Sequence, residues 1–232
     1  MRINNSETQS FLNKILFWVQ TPSQYIGQEW NSVRKEFNSV ETRFCLSFPD
    51  TYALGMSYHG LKLLYEIVNK HEKFLCERAF APLPDFIDYL KKYHMPLFSL
   101  ESKIPIRNFD IWGFSVNSEL NWTNVLQMID LAKVPIFAKE RTEDDPIIIA
   151  GGHGIYNPEP AAPFLDIVVL GDGEEVLPAL LKMDHVLRKQ KMPREKRIWE
   201  MARTLPGLYA PNFYEITYNN DNSIADIIPK HE

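Results

Sequence analysis

Cysteine is scarce in this chain of 232 residues: there are two, Cys45 and Cys76, each inside its own apolar stretch. Two isolated thiols exclude a disulfide framework and read as buried, reduced side chains, and nothing has the spacing of a zinc or iron–sulfur centre. Long apolar runs are missing as well. None approaches the roughly 20 residues of a membrane span. The opening MRINNSETQS is polar where a secretory leader requires an apolar core, so the chain reads as cytoplasmic. Positive charge is not in excess, the net charge being -5, and no nucleic-acid partner is expected. The most basic stretch, RKQKMPREKR at 188–197, mixes basic with polar and acidic residues and reads as a solvated face. Neither G-x-G-x-x-G nor G-x-x-x-x-G-K-[ST] occurs, which removes the two commonest nucleotide-binding loops.

What the chain has is an alternation of apolar strands and amphipathic helices. RFCLSF at 43–48, LCERAF at 75–80, FDIWGFSV at 109–116, PIIIAGG at 146–152 and LDIVVLGDG at 165–173 read as strands. The last two are continuous β-branched runs, as expected of strands covered on both faces. Helical spacing follows over 57–69, 84–93, 119–132 and from Glu174 to about Leu187, and MPLFSLES at 95–102 reads as a further short extended piece. This order specifies a doubly wound, mostly parallel α/β sheet. Residues 1–40, with the amphipathic FLNKILFWVQ at 11–20, read as an arm packed on a main domain over 41–190. Residues 191–232 read as a helix closing near Leu205 followed by a hairpin around NNDN.

Four of the strands end in glycine-marked loops: FPDTYALGMS at 48–57, GFSVNSEL at 113–120, IIIAGGHG at 147–154 and VVLGDGEE at 168–175. In a parallel sheet such loops converge on one crevice, where α/β folds bind ligands. Gly55 is read as a turn that lets backbone approach a ligand ahead of a helix N-terminus. Each residue also has a plainer reading. Asp50 caps a turn or helix start, Tyr52 is a half-buried aromatic, Ser115 and Asn117 are turn formers, and Glu174 and Glu175 meet a helix dipole. His59 and His153 are placed to reach the crevice, or to make ordinary hydrogen bonds. Gly151, Gly152, Gly171 and Gly173 are the better candidates, because a bulky flat ligand needs backbone free of side chains against it.

Asp50 to Gly55 has the form Asp-x-Tyr-x-x-Gly, one substitution from the Asp-x-His-x-x-Gly of cobalamin-binding domains, which it resembles in lying between the first strand and the first helix. GFSVNSEL resembles the Ser-x-Leu loop of those domains, with Ser115 in place and Asn117 for the Leu, and Gly151-Gly152 resembles their Gly-Gly loop. FPDTYALGMSYHGLKLLY, FAPLPD, PLFSLES, FDIWGFSVNSELNWTNVLQMIDLA, NPEPAAPF and VVLGDGEEVLP together resemble the N-terminal region of a family of radical S-adenosylmethionine (radical SAM) proteins, over roughly 20–215. The resemblance implies a flavodoxin-like or Rossmann-like domain that holds cobalamin for a catalytic barrel supplied in cis or in trans. The expected cofactor site comprises Asp50, Thr51, Tyr52, Gly55, Met56 and Ser57 from the first loop; Ser115, Asn117 and Glu119 from the second; Gly151, Gly152 and His153 from the third; and Gly171, Asp172 and Gly173 from the fourth. The Cys-x-x-x-Cys-x-x-Cys run that would hold an iron–sulfur cluster for S-adenosylmethionine is not in this sequence. That chemistry is therefore expected only of a full-length protein, and the chain reads as a fragment or a separate module. With Tyr52 in the histidine position, no histidine ligand below cobalt is expected, with Tyr52 packing on or hydrogen-bonding near the ring. A module that kept the sheet and lost the ligand, serving as an interaction platform, and a flavin or nucleotide binder are the other readings.

Overall fold

The computed structural model describes residues 5–230. The first four residues of the arm and the last two of the C-terminal extension lie outside them. Five strands form where the sequence places them: β1 (Thr42–Phe48), β2 (Phe74–Phe80), β3 (Ile111–Ser115), β4 (Ile147–Gly151) and β5 (Ile167–Val169). They are parallel, and a two-residue strand β6 (Leu208–Tyr209) adds antiparallel to β5, giving the order β2-β1-β3-β4-β5-β6. The five parallel strands thus have the flavodoxin-like order, whose direction reverses between β1 and β3. Every residue of β2, β3 and β5 is buried, which is why these strands read as apolar runs rather than alternating ones.

The pleat divides the strand residues between two cores. On one face Cys45, Trp112, Phe114, Ile148, Ala150 and Val168 pack with α1 (Asn5–Ile15), α4 (Pro84–Lys92) and α5 (Trp122–Leu131). Trp112 is fully buried there, and its indole N–H donates to Ser47 Oγ at 2.7 Å, so the ring is enclosed without an orphaned donor. On the other face Phe44, Leu46, Ile111, Ile147, Ile149, Ile167 and Val169 pack beneath α3 (His59–Lys70), α6 (Gly173–Lys189) and α7 (Arg194–Thr204). Helix α3 contributes Leu61, Tyr65 and Val68, and α6 contributes Leu177, Leu180, Leu181 and Leu187, the one-sided spacing of surface helices. Lys35 of the arm donates to the carbonyls of Asn69 and His71, which the end of α3 leaves open, and to that of Phe74 at the start of β2.

Several details correct the sequence reading. The loop after β1 is not a tight turn at Gly55: a separate short helix, α2 (Tyr52–Ser57), contains that glycine, and Tyr58 divides it from α3. A Cβ at position 55 would lie 2.3 Å from the Phe80 ring, so glycine is required there for packing. Residues 95–102 form no strand. They run beside β2, with Leu100 N–H donating to the Arg78 carbonyl, but the Glu101 carboxylate takes the Arg78 N–H that a neighbouring strand's carbonyl would take. The arm helix spans Asn5–Ile15 and then tightens into a 3-10 turn at Leu16–Trp18, leaving Phe17 and Trp18 exposed.

The stretch 188–197 is not simply a solvated face either. Arg194 and Arg197 are buried on Asp166 and Asp184, and Arg188 also pairs with Asp184. Buried carboxylates need such partners, because an unpaired buried charge is strongly destabilising. The hairpin forms as expected from β7 (Tyr214–Tyr218) and β8 (Ile224–Pro229), paired antiparallel. No described helix is long and apolar enough to cross a membrane.

Candidate functional site

At the carboxyl end of the sheet Ser115, Gly151 and Val169 stand side by side in register on β3, β4 and β5. One pleat deeper on the same face stand Leu46, Gly113, Ile149 and Ile167. Gly151 leaves the outer row without a side chain at its centre, and a cavity of about 200 Å³ opens over it. Tyr58, Gly60 and Leu64 line it from α3 and the residue before it; Gly173, Glu174 and Leu177 line it from α6. His153, Tyr156, Gly171 and Asp172, all exposed, complete it from the loops after β4 and β5.

A Cβ built on Gly151 would make only ordinary contacts, the nearest with the Val169 carbonyl oxygen at 3.4 Å, and one on Gly171 would meet nothing within 4 Å. These two positions are open space in a slot otherwise walled by Phe44, Leu46, Ile149, Val169 and Leu177. Gly152 has a different task. With φ at +109° it carries the chain so close across the end of β3 that a Cβ would lie 2.5 Å from the Val116 carbonyl oxygen. That carbonyl accepts the Gly154 N–H at 2.9 Å, which fixes the loop over the cleft. Ser115 is 9% exposed and lines the cavity, yet its hydroxyl makes no hydrogen bond within the described residues. A hydroxyl facing the cavity from a mostly buried residue has capacity for one donor and one acceptor contact with whatever occupies that space.

The expected site residues divide accordingly. Ser115, Gly151, Gly152, His153, Gly171, Asp172 and Gly173 come together around the cavity. Asp50, Thr51, Tyr52, Gly55, Met56 and Ser57 do not line it. Asp50 accepts the Thr51 N–H at 2.7 Å and an Asn121 N–H at 3.4 Å, tying the β1 loop to the start of α5. Tyr52 donates to Glu29 Oε1 of the arm at 3.0 Å and rests edge-on against Phe80. It lines a small hollow of about 30 Å³ with Gln24 and Tyr25 instead. Burial and the adjoining Glu29 carboxylate push the Tyr52 phenol up to about 12, so it stays protonated. Met56 offers its sulfur to Arg78 at 3.2 Å, and Ser57 donates to the Leu54 carbonyl. Asn117 and Glu119 sit in the loop after β3, outside the cavity lining. The Asn117 Oδ1 is buried without a partner, while Glu119 is exposed at the opening of the 3-10 turn Glu119–Asn121 that Ser118 caps.

Tyr58, Gly60, Leu64, Tyr156 and Glu174 line the cavity without having been singled out for it in the sequence. Gly113, a glycine inside an apolar strand pattern, was the available signal, since such a residue marks a bulge or a close approach. A second hollow, of about 330 Å³, lies under the arm between Glu77, Glu101 and Lys103. These three groups are engaged within the fold: Glu101 by Arg78, Glu77 by Ser102, and Lys103 by the Ile26 and Leu100 carbonyls. Among the described residues no group of three or more His, Cys, Asp or Glu side chains is placed to hold a metal ion.

Residues 60–211 match the family described as radical SAM proteins, N-terminal. Among solved structures, a radical S-adenosylmethionine methyltransferase, TsrM from Kitasatospora setae with tryptophan substrate and the SAM analog aza-SAM bound, is similar at a TM-score of 0.41 and 15% identity. The likeness covers 82% of this chain and 30% of that one, so this chain spans less than a third of the length of that protein. No curated protein matches the chain.

Proposed function

Because the chain belongs to the family of radical SAM proteins, N-terminal, we propose that it is the cobalamin-holding module of such a protein, with the nucleotide tail of the cofactor seated in the cavity between α3 and α6. The observation that carries the reading is the open position at Gly151 beside Ser115, a mostly buried residue whose hydroxyl lines the cavity without a partner among the described residues. A flat heteroaromatic ring fits a slot with apolar walls and a glycine floor, and a ring nitrogen facing Ser115 would satisfy its hydroxyl. About 200 Å³ takes such a ring but not the corrin, which is therefore assigned to the mouth, against the loops carrying Gly152, His153, Gly171 and Asp172.

Bound there, cobalamin would supply organometallic group-transfer chemistry, and a catalytic barrel in the same or another chain would supply the radical step. The residues of this chain bind, orient and shield. Gly152 and Gly154 hold the third loop low over β3, leaving room above it. The Asp-x-Tyr-x-x-Gly segment has no histidine that would ligate a metal, and the Tyr52 phenol would be a poor substitute, because it stays protonated and its hydroxyl is engaged by Glu29. Asp50, Thr51, Tyr52, Gly55, Met56 and Ser57 support the rim by keeping α2 and the arm in place. Asn117 and Glu119 belong to the same rim, in the loop after β3.

Purified protein mixed with hydroxocobalamin and then desalted tests the reading. Retention of corrin absorbance in near-stoichiometric amount is expected. Colourless protein in repeated trials, including one with any longer native chain, overturns it in favour of a module that serves only as an interaction platform.

A further inference from the structure

The cavity has an unusual charge for a site at a helix N-terminus. Asp172 and Glu174 line it, and no lysine or arginine does. The remaining ionisable groups of the lining are His153, Tyr58 and Tyr156. Asp172 stands at the N-cap of α6 without bonding to the helix, and neither carboxylate has a hydrogen bond or an ion pair within the described residues. A helix start carries the equivalent of about half a positive charge and on its own suits phosphate. Here two lining carboxylates, with Glu175 in the same turn, outweigh it. Ser115, a residue nine-tenths buried, lines the same cavity with its hydroxyl unpaired among the described residues, and independently points to a ligand atom at its base.

We infer that Asp172 and Glu174 make the site select its ligand by charge, receiving N–H donors from the side-chain amides of a fully amidated corrinoid and excluding corrinoids with free carboxylates and cofactors that end in a phosphate monoester. This rests on the cobalamin reading and deepens it. A carboxylate accepts hydrogen bonds and offers none, so an amide at the rim gains a charge-assisted bond where an acid meets a like charge. Hydroxocobalamin carries one phosphodiester charge, balanced by its cobalt–corrin core. A flavin mononucleotide brings a dianionic terminus with no lysine or arginine in the lining to pair it.

Equilibrium dialysis of the 232-residue chain against hydroxocobalamin, its monocarboxylic acids and flavin mononucleotide, each repeated with the double variant Asp172→Asn/Glu174→Gln, tests the inference. One like-charge contact near a surface corresponds to about tenfold in affinity. Hydroxocobalamin is expected to bind at least about tenfold more tightly than one or more of the monocarboxylic acids and more tightly than the flavin. The gap should narrow to within about twofold in the double variant and shrink as salt is raised. Equal affinity for the parent and all the acids, a flavin that binds as well as cobalamin, or a preference that survives in the double variant overturns the charge selection and leaves the cofactor reading standing. Failure of hydroxocobalamin itself to bind overturns both.

Discussion

Filling the cavity at Gly151 is the sharpest perturbation of this site. Position 151 faces the space between Ser115 and Val169, and a Cβ there makes ordinary contacts. Its φ lies outside the left-handed region, so a side chain is tolerated by the backbone. Gly151→Phe therefore places a ring where the tail of the ligand is proposed to lie. A bicyclic aromatic the size of a tryptophan side chain buries about 200 Å² on entering such a slot, worth about 5 kcal/mol at 25 cal/mol per Å². Losing it should weaken hydroxocobalamin about a thousandfold or more. Stability should change by no more than about 1–2 kcal/mol, since a strand gains by losing a glycine while any residual crowding costs a similar amount. Gly151→Ala fills little of the space and should fold and bind much like the parent. Equilibrium dialysis with hydroxocobalamin and urea unfolding read the two quantities separately. A Gly151→Phe variant that is stable and binds with parental affinity would refute the placement of the tail.

Other perturbations separate rim from cavity. Gly55→Leu drives a side chain into Phe80 and should cost about 1–3 kcal/mol by urea midpoint while the folded fraction still binds; an undiminished midpoint would refute the packing role. Tyr52→His should show no nitrogen splitting from a protein imidazole in the electron paramagnetic resonance spectrum of the cobalt(II) form, because residue 52 faces Glu29 and Phe80; such splitting would mean that α2 turns toward the metal. Glu101 supplies a pH test. Burial, opposed by Arg78 and reinforced by Glu77, lifts its carboxyl from 4.5 to about 7. The folded chain then keeps a proton that the unfolded chain releases, so this contribution is complete below pH 4.5 and is lost as pH rises through 7. The loss is on the order of 3 kcal/mol, and Glu101→Gln should lack that slope in urea midpoints measured across the range; an identical slope in the variant would refute it.

Much of the sheet was legible because its strands announce themselves. PIIIAGG and LDIVVLGDG are apolar without alternation since both faces are covered, and the connecting helices carry one-sided leucine spacing. Strand β6 has two residues and no pattern to read. The base of α6 and α7 was misjudged because charge composition does not show which arginines have a buried carboxylate to meet, and Asp166 and Asp184 supply them.

At the site, the loops after β4 and β5 and the end of β3 converge as glycine placement suggested, while the first loop does not. Gly55 does mark a close approach, but the group that approaches it is the Phe80 ring rather than a ligand. The contribution of that region comes from Tyr58 and Gly60 instead. Reading 57–69 as one continuous helix hid the break at Tyr58 that brings them to the cavity.

The central claim is that the space between α3 and α6 takes the nucleotide tail of a corrinoid, and comparing hydroxocobalamin with cobinamide, which lacks that tail, tests it most directly. Dialysis against each should show cobalamin bound about a thousandfold more tightly, with the advantage abolished by Gly151→Phe. Equal affinity for the two corrinoids, or an advantage that persists in the Gly151→Phe variant, would contradict it.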